Sequence, residues 1–264
     1  MLIDKAANVR YLFFSMDGTL ATAPSSQTCS PLPTRGRLFE LVDSSGVHER
    51  AVRMSIMAAH TALADSLLLK ALRDAAAQFS FSRHETVRCV GTAVFKSQDA
   101  CDYACLLDID PSVTAWECLP LVLRDGSLRH VPDFLVRRSV AVDAIDVQTT
   151  TSTCASSWID RAAQAKGIRY QVVCAAEFQN TARLRNAQDL LRYVGTPVSL
   201  GDRVRVLTAL EEVRSLPVSA AITCIRDGRE PIAVIAAMIL QRLIEIDLDE
   251  GLIGPDSRIT RKFA

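Results

Sequence analysis

The sequence carries no excess of charge of either sign. Its 264 residues include 30 basic and 30 acidic side chains, so the formal net charge at pH 7 is zero. A chain without an overall field is not drawn to nucleic acid, membranes or acidic ligands by its total charge. Any basic surface that it uses therefore has to be local.

Long apolar runs are also absent. No stretch approaches the roughly 20 residues that a membrane-spanning helix needs. The opening segment, MLIDKAANVR, lacks the apolar core of a signal peptide. The sequence therefore predicts a cytoplasmic protein with no membrane partner, and its length allows about two domains.

Cysteine is present, but not at the spacing of a metal site. None of the eight cysteines belongs to a C-x-x-C motif, and their apolar or helical surroundings indicate small buried thiols. Cys101 and Cys105 are one helical turn apart, yet none of the four histidines stands at zinc-ligand spacing from them. We therefore predict no zinc site.

The first motif along the chain is YLFFSMDGTL. An apolar run followed by D-G-T-L resembles the active site of the haloacid-dehalogenase phosphatases, where an aspartate two residues before the Asp of DGT is the nucleophile. That position holds Ser15, next to Asp17, and the only later Gly-Asp supplies no second acid. The sequence favours an ordinary Asp-Gly turn, with a phosphatase as the weaker alternative.

Three regions are predicted along the chain. Residues 1–87 combine the D-G-T-L stretch, a Pro- and Ser-rich loop at 24–36 and an Ala- and Leu-rich helical stretch at about 47–79. No role is assigned to this first region. Residues 88–198 and 199–264 form the second and third regions.

Region 88–198 has the pattern of a mixed sheet flanked by helices. The helical stretch SQDACDYACLLDID ends at Pro111 and is followed by strand-like runs with a turn at Asp125 and Gly126. A further helix ends at Gly167, before the strand IRYQVVC. The order helix, hairpin, strand, helix, strand predicts an α/β domain.

Region 199–264 reads as three helices followed by two strand-like runs joined by a Gly-Pro-Asp turn. The third helical run, EPIAVIAAMILQRLIE, is almost wholly apolar. This order is typical of a winged-helix-like domain, in which the third helix can enter a major groove and the wing can contact the DNA backbone. A small three-helix domain without DNA contact is the alternative.

Two carboxylates and an amide form the candidate site. Asp133 opens one strand, and Asp146 and Gln148 are two residues apart in the next, so those two side chains point to the same face. Two carboxylates there bind Mg²⁺ or Mn²⁺, which activates water for strand cleavage. The usual third member is a lysine in the place of Gln148, whose amide orients water but supplies no charge.

The segment CLLDIDPSVTAWECLPLVLRDGSLRHVPDFLV resembles the nuclease domain of the TnsA-type endonucleases of heteromeric transposases. The similarity continues through AAQAKGIRYQVVCAAEF and RLRNAQDLLRY and extends into the C-terminal helices. The resemblance implies a restriction-endonuclease-like PD-(D/E)xK fold that nicks DNA at a transposon end. It also implies a divalent metal, Mg²⁺ or Mn²⁺, and a DDE transposase subunit as partner.

The resemblance carries the catalytic residues of the family over only in part. It implies Asp133 as the metal-binding aspartate of the PD motif and Asp146 as the acid of the (D/E) position. The lysine position holds Gln148, and Ala100 stands where the first catalytic glutamate belongs. Two of the four positions therefore lack the charge that the chemistry needs.

Two interpretations are open, and the first is favoured. In the first, the protein is a DNA-binding transposase accessory protein whose nuclease site is impaired. In the second, it is an active endonuclease with a shifted acid. Asp99 and Asp102 are the available neighbours, but they lie about 100° and 200° around a helix from Ala100. A purely structural role for Asp133 and Asp146 is the remaining alternative.

Arginines are the candidate DNA-binding residues. Arg183, Arg185 and Arg192 lie on a predicted helix at spacings that can share a face, and Arg137 and Arg138 flank the candidate metal site. Phosphate contact uses such local clusters even in a neutral chain. A solvated helix face is the alternative.

Overall fold

The computed structural model describes residues 44–81, 84–149, 157–227 and 230–262. Two compact units are distinguished, residues 1–49 and 50–264, and the second contains every strand that the structure describes. The phosphatase-like motif with Ser15 and Asp17 lies outside the described residues, so its interpretation as a turn stays a prediction.

The first element is a single long helix, α1 (Ser44–Ala76), which confirms the helical pattern predicted for this stretch. Alanine and leucine, both strong helix formers, dominate it. The C-terminal half packs on the main core through Leu68, Leu72 and Ala76. Arg124 binds the carboxylate of Asp65. Side chains on both sides of the predicted boundary at residue 87 therefore pack together.

The middle of the chain contributes six strands. They are β1 (Val113–Cys118), β2 (Leu123–Asp125), β3 (Leu128–His130), β4 (Phe134–Arg138), β5 (Val142–Gln148) and β6 (Arg169–Cys174). Four form a sheet in the order β1-β4-β5-β6, and β2 pairs with β3 in a hairpin. β4 is antiparallel to both neighbours, whereas β5 and β6 are parallel.

Four helices accompany this sheet. They are α2 (Gln98–Ile109), α3 (Ser157–Gln164), α4 (Ala175–Phe178) and α5 (Ala182–Leu191). α2 begins at Ser97, whose hydroxyl accepts a hydrogen bond from the backbone N–H of Ala100. All residues of β5 from Asp143 to Asp146 are buried, so both of its faces are covered. The predicted mixed α/β class is confirmed.

The C-terminal region adds three helices and three short strands. They are α6 (Leu200–Val213), β7 (Ser215–Pro217), α7 (Val218–Ala221), α8 (Pro231–Leu240), β8 (Ile244–Ile246) and β9 (Arg258–Arg261), with a 3-10 turn at Ile222–Cys224. The strands form an antiparallel sheet in the order β7-β9-β8.

The third helix of this region differs from its prediction in two ways. α8 ends at Leu240, because Arg242 takes a left-handed conformation with φ of +59°, and the residues from Ile244 form a strand. Every residue from Ala233 to Met238 is buried. The helix therefore has no polar face to present to DNA, and the winged-helix-like interpretation of this region stays a prediction.

Regions 88–198 and 199–264 share a hydrophobic core. Leu190 of α5 packs in one cluster with Ala236 and Leu240 of α8. The predicted boundary at residue 198 is therefore crossed by packed side chains.

Among the described helices, none is long and apolar enough to cross a membrane.

Candidate functional site

The structure brings the two predicted carboxylates together. Asp133 directly precedes β4, Asp146 lies in β5, and the antiparallel register pairs Phe134 with Ile145. The backbone N–H of Asp133 donates to Oδ1 of Asp146 at 3.1 Å, and that of Val147 donates to Oδ2 of Asp133 at 2.8 Å. Asp133 is 6% exposed and Asp146 is 5% exposed. The pair is thus buried and held by the backbone.

A lysine that the sequence reasoning missed lies against both carboxylates. The ammonium of Lys96 is 2.8 Å from Oδ1 of Asp133 and 3.9 Å from Oδ1 of Asp146. It also donates to the carbonyl oxygen of Val131 at 3.0 Å. Lys96 immediately precedes Ser97, the N-cap residue of α2. The charge that is missing at Gln148 is therefore present, but it comes from another segment.

The second oxygen of Asp146 is held by two ring side chains. The hydroxyl of Tyr170 donates to Oδ2 at 2.5 Å, and Nε2 of His130 lies 2.5 Å from the same atom. His130, in β3, packs edge-on against Trp158 and Tyr170. These contacts fix the rotamer of Asp146 and exclude a role as a solvent-facing strand residue.

The two carboxylates differ in acidity. Burial raises the pKa of Asp133, and the charge of Lys96 opposes that rise without cancelling it. Burial also acts to raise the pKa of Asp146, but hydrogen bonds from His130 and Tyr170 bring that pKa below its ordinary value. Burial and the hydrogen bond to Asp146 raise the pKa of Tyr170. Asp146 is therefore the stronger acid and carries a negative charge at neutral pH.

In this structure the protein itself supplies the partners of both carboxylates. Magnesium and manganese require several carboxylate, carbonyl or water oxygens with free lone pairs. Each oxygen of Asp133 and Asp146 already contacts a protein donor, one of which is a cation. No group of three or more His, Cys, Asp or Glu within the described ranges forms a metal site. The Mg²⁺ or Mn²⁺ cofactor stays a prediction.

The remaining family positions do not join the pair. Ala100 is packed in the main core with 1% of its surface exposed. Asp99 accepts hydrogen bonds from Thr149 and Gln179, and Asp102 accepts them from three glutamine amides. Both acids are thus committed to other partners and supply no substitute for the missing glutamate. Gln148 is half-buried at the end of β5.

The arginines next to the site are engaged in ion pairs. Arg138 binds Asp110 at 2.8 Å and Asp143 at 3.0 Å, and 21% of its side chain is exposed. Arg137 binds Glu117 at 2.8 Å but remains exposed. Arg138 thus braces the sheet, and of the two only Arg137 offers an accessible charge to a phosphate.

The arginines of α5 do not form one surface. Residues advance by about 100° along a helix, so Arg183 and Arg185 are about 200° apart, whereas Arg185 and Arg192 nearly coincide. Arg183 binds Asp249 at 2.8 Å. Arg185 and Arg192 are exposed, and Arg192 is only 3.8 Å from the exposed Asp189. The predicted DNA-binding face therefore reduces to Arg185 and Arg192.

Comparison with known proteins adds no family to this geometry. A scan against models of protein families matches none of them, and a search of curated proteins finds no significant match. The resemblance to TnsA-type endonucleases accordingly stays an inference from the residues that carry it.

Proposed function

We propose that the protein is a DNA-binding accessory protein of TnsA type whose PD-(D/E)xK nuclease site is impaired. The observation that carries this proposal is Ala100, which is buried at the position of the catalytic glutamate while the neighbouring acids Asp99 and Asp102 are engaged by other side chains. DNA and a DDE transposase subunit are the proposed partners.

The arrangement of the chain supports a restriction-endonuclease-like framework. Two antiparallel pairings followed by one parallel pairing, with acids at adjacent positions of two strands, agree with the fold implied by the resemblance. The order of α6, β7, α7, α8 and the β8–β9 pair agrees with a winged-helix-like region. Because α8 is buried, we place DNA contact outside that helix.

Impairment is expected from the charges at the site. Ala100 supplies no ligand, the ammonium of Lys96 is already paired with Asp133, and each oxygen of both aspartates contacts a protein donor. General acid–base assistance contributes about 10²- to 10⁴-fold to a rate, and metal activation of water contributes further. A site whose ammonium is paired and whose helix carboxylate is absent is expected to nick DNA at a rate close to background.

The first test measures nicking of supercoiled plasmid with Mn²⁺. The impaired site predicts no cleavage above background by the wild type, and it predicts that Lys96→Met gains Mn²⁺ binding in calorimetry because the competing cation is gone. Lys166→Met, at an exposed lysine after α3, is the matched control and should gain nothing.

The same variant decides the alternative of an active metal-dependent endonuclease. Lys96 lies 2.8 Å from Asp133 and is the only observation that favours that alternative, because its ammonium can take the role of the lysine absent at Gln148. Robust nicking by the wild type, lost in both Asp133→Ala and Lys96→Met, would replace the impaired site by an active one.

The second test concerns DNA binding. Removing one arginine that binds a phosphate should reduce the slope of log affinity against log salt by about one unit. We expect this of Arg185→Ala and Arg192→Ala, and no change for Arg183→Ala, whose guanidinium is already paired with Asp249. Equal slopes for all three variants would remove α5 from the DNA-binding surface.

A further inference from the structure

A cavity of about 310 Å³ lies where the end of α2 meets the end of α8 and β8. Two arginines, Arg88 and Arg242, are among its lining residues, together with apolar side chains such as Ile109 and Leu240. We call it the paired-arginine cavity. It lies away from Asp133 and Asp146, which do not line it.

Backbone carbonyls fix both guanidinium groups. Nε of Arg88 donates to the carbonyl oxygen of Asp108 at 3.2 Å, and its Nη2 donates to that of Leu240 at 3.2 Å. Nη2 of Arg242 donates to the carbonyl oxygen of Val113 at 2.7 Å and also to that of Asp110. Carbonyl groups orient a guanidinium without neutralising it. Both arginines are thus held in place with their charge intact.

Each guanidinium keeps donors in reserve. A guanidinium has five N–H bonds, and the two hydrogen bonds made by each of Arg88 and Arg242 leave three unused. Among the residues that the structure describes, no carboxylate lies within ion-pair distance of either group. Two charged forks therefore remain available to a ligand.

The acidic side chains around the cavity are already engaged. Asp249 is paired with Arg183, and Glu245 with Lys262. The carboxylate of Asp108 accepts hydrogen bonds from the Trp116 indole and from two backbone N–H groups, and Asp247 accepts two from backbone N–H groups. Among the basic residues of the lining, Arg183 and Lys262 are thus paired with acids, whereas Arg88 and Arg242 are paired with none.

The charged form of each arginine is disfavoured by its surroundings. Burial, and then the positive charge of Arg88, lower the pKa of Arg242 against the opposing charge of Asp110, and burial lowers the pKa of Arg88 against the opposing charge of Asp108. Arg242 further adopts a φ of +59° just after a helix, a position that usually holds glycine. An anion bound in the cavity next to Arg242 would offset the repulsion from Arg88.

We propose that the paired-arginine cavity binds a phosphate group. The planar fork of a guanidinium donates two parallel hydrogen bonds to phosphate oxygens, and two forks allow a phosphate to be held from two sides. The cavity is larger than one phosphate and at the lower end of the range for small-ligand sites. The phosphate thus belongs either to a mononucleotide-sized molecule or to the DNA backbone, and the site does not depend on the nuclease-type function proposed above.

The test titrates the full chain with inorganic phosphate and with AMP, using thermal stability and calorimetry against chloride at equal ionic strength. We expect phosphate and AMP to raise the thermal stability of the wild type in a saturable way. The affinity for both should fall roughly tenfold or more in Arg242→Gly and in Arg88→Gln, because each substitution removes charge-assisted hydrogen bonds. Arg242→Gly suits the left-handed backbone and should fold. Arg214→Gly is the matched control, since Arg214 also has a positive φ, of 62°, but does not line the cavity.

A short DNA duplex distinguishes the two sources of phosphate. Competition between the duplex and AMP for wild-type protein supports the proposal with DNA as the source, and AMP binding unaffected by the duplex supports it with a small phosphorylated ligand. Absence of any phosphate or AMP binding by the wild type overturns it, as does undiminished binding by Arg242→Gly. Neither result bears on nicking or on Arg185, so the two proposals fail separately.

Discussion

At the scale of one residue, Asp202 shows how a buried charge is stabilised by donors. Its side chain is 1% exposed in the first turn of α6. The hydroxyl of Ser199 donates to it at 3.0 Å, and the backbone N–H of Arg226 donates to it at 2.8 Å. Burial acts to raise the pKa of Asp202, but these donors and the Arg205 guanidinium lower it to about 2. The carboxylate therefore ties the start of α6 to the loop after α7.

Asp202→Asn should destabilise the protein at neutral pH more than in acid. The folded pKa is below the unfolded value of about 3.9, so the contribution is complete above roughly pH 4 and is lost as the pH falls through the folded pKa. After allowance for screening we expect a loss on the order of 1 kcal/mol at pH 7. Urea denaturation at pH 7 and pH 3 measures it. Asp256→Asn, in an exposed turn, serves as control, and a loss equal at both pH values would contradict the assignment.

At the scale of an element, the end of α6 carries backbone strain. Arg214, the residue after the helix, has a φ of +62°, and its backbone N–H donates to the carbonyl of Leu210. A left-handed conformation costs a residue with a Cβ roughly 1–2 kcal/mol, whereas glycine adopts it freely. The exposed side chain of Arg214 offers nothing visible in return. The turn from α6 into β7 therefore lowers the stability of the folded chain through the conformation of Arg214.

Arg214→Gly is expected to stabilise the protein by roughly 0.5–1 kcal/mol, because relief of strain exceeds the entropy that glycine adds to the unfolded chain. Arg203→Gly, an identical change at an exposed position inside α6, should cost about 1 kcal/mol. Chemical denaturation of both variants measures the contrast. Two losses of similar size would show that the backbone at Arg214 is not strained.

At the scale of the whole molecule, the shared core is expected to make residues 88–198 and 199–264 unfold together. Leu240 of α8 packs with Leu190 and Phe178 from the other region. Arg88 reaches across to the carbonyl oxygen of Leu240. Unfolding of one region therefore exposes apolar surface of the other.

Leu240→Ala should lower the stability of both regions together. We expect a loss of about 2–4 kcal/mol, since the buried side chain leaves a cavity. Both tryptophans, Trp116 and Trp158, lie in region 88–198, so their fluorescence reports a change made in region 199–264. The fluorescence midpoint in urea should fall with the circular dichroism midpoint. A shift in circular dichroism alone would mean that the regions unfold independently.

The sequence predicted the larger elements and failed at short or unmarked ones. Periodicity and turn residues located α1, α2 and the central strands. β7 is only three residues long and contains Pro217, which an edge strand of the β7-β9-β8 sheet tolerates. The end of α8 lies inside an apolar run with no glycine or proline to mark it, and long-range pairing of β8 with β9 decides it.

The sequence predicted only those residues of the candidate site that lie in consecutive strands. Asp133 and Asp146 belong to adjacent strands, so local spacing brings them together. Lys96 and Tyr170 come from segments far away in sequence, and only the tertiary fold places them there. Lysine is rare in this chain, with five lysines against 25 arginines. Lys96 is one of them and directly precedes Ser97, the cap of α2, which was the one signal in the sequence that could have singled it out.

The counter-charge of Asp133 is the ammonium of Lys96, which cannot dissociate from the protein as a bound ion can. A bound ion is lost by dilution, dialysis or a chelator, but the counter-charge of Asp133 is a side chain of the same polypeptide. EDTA therefore does not remove this counter-charge, and the stability of the folded chain is expected to be the same in metal-poor and metal-rich media.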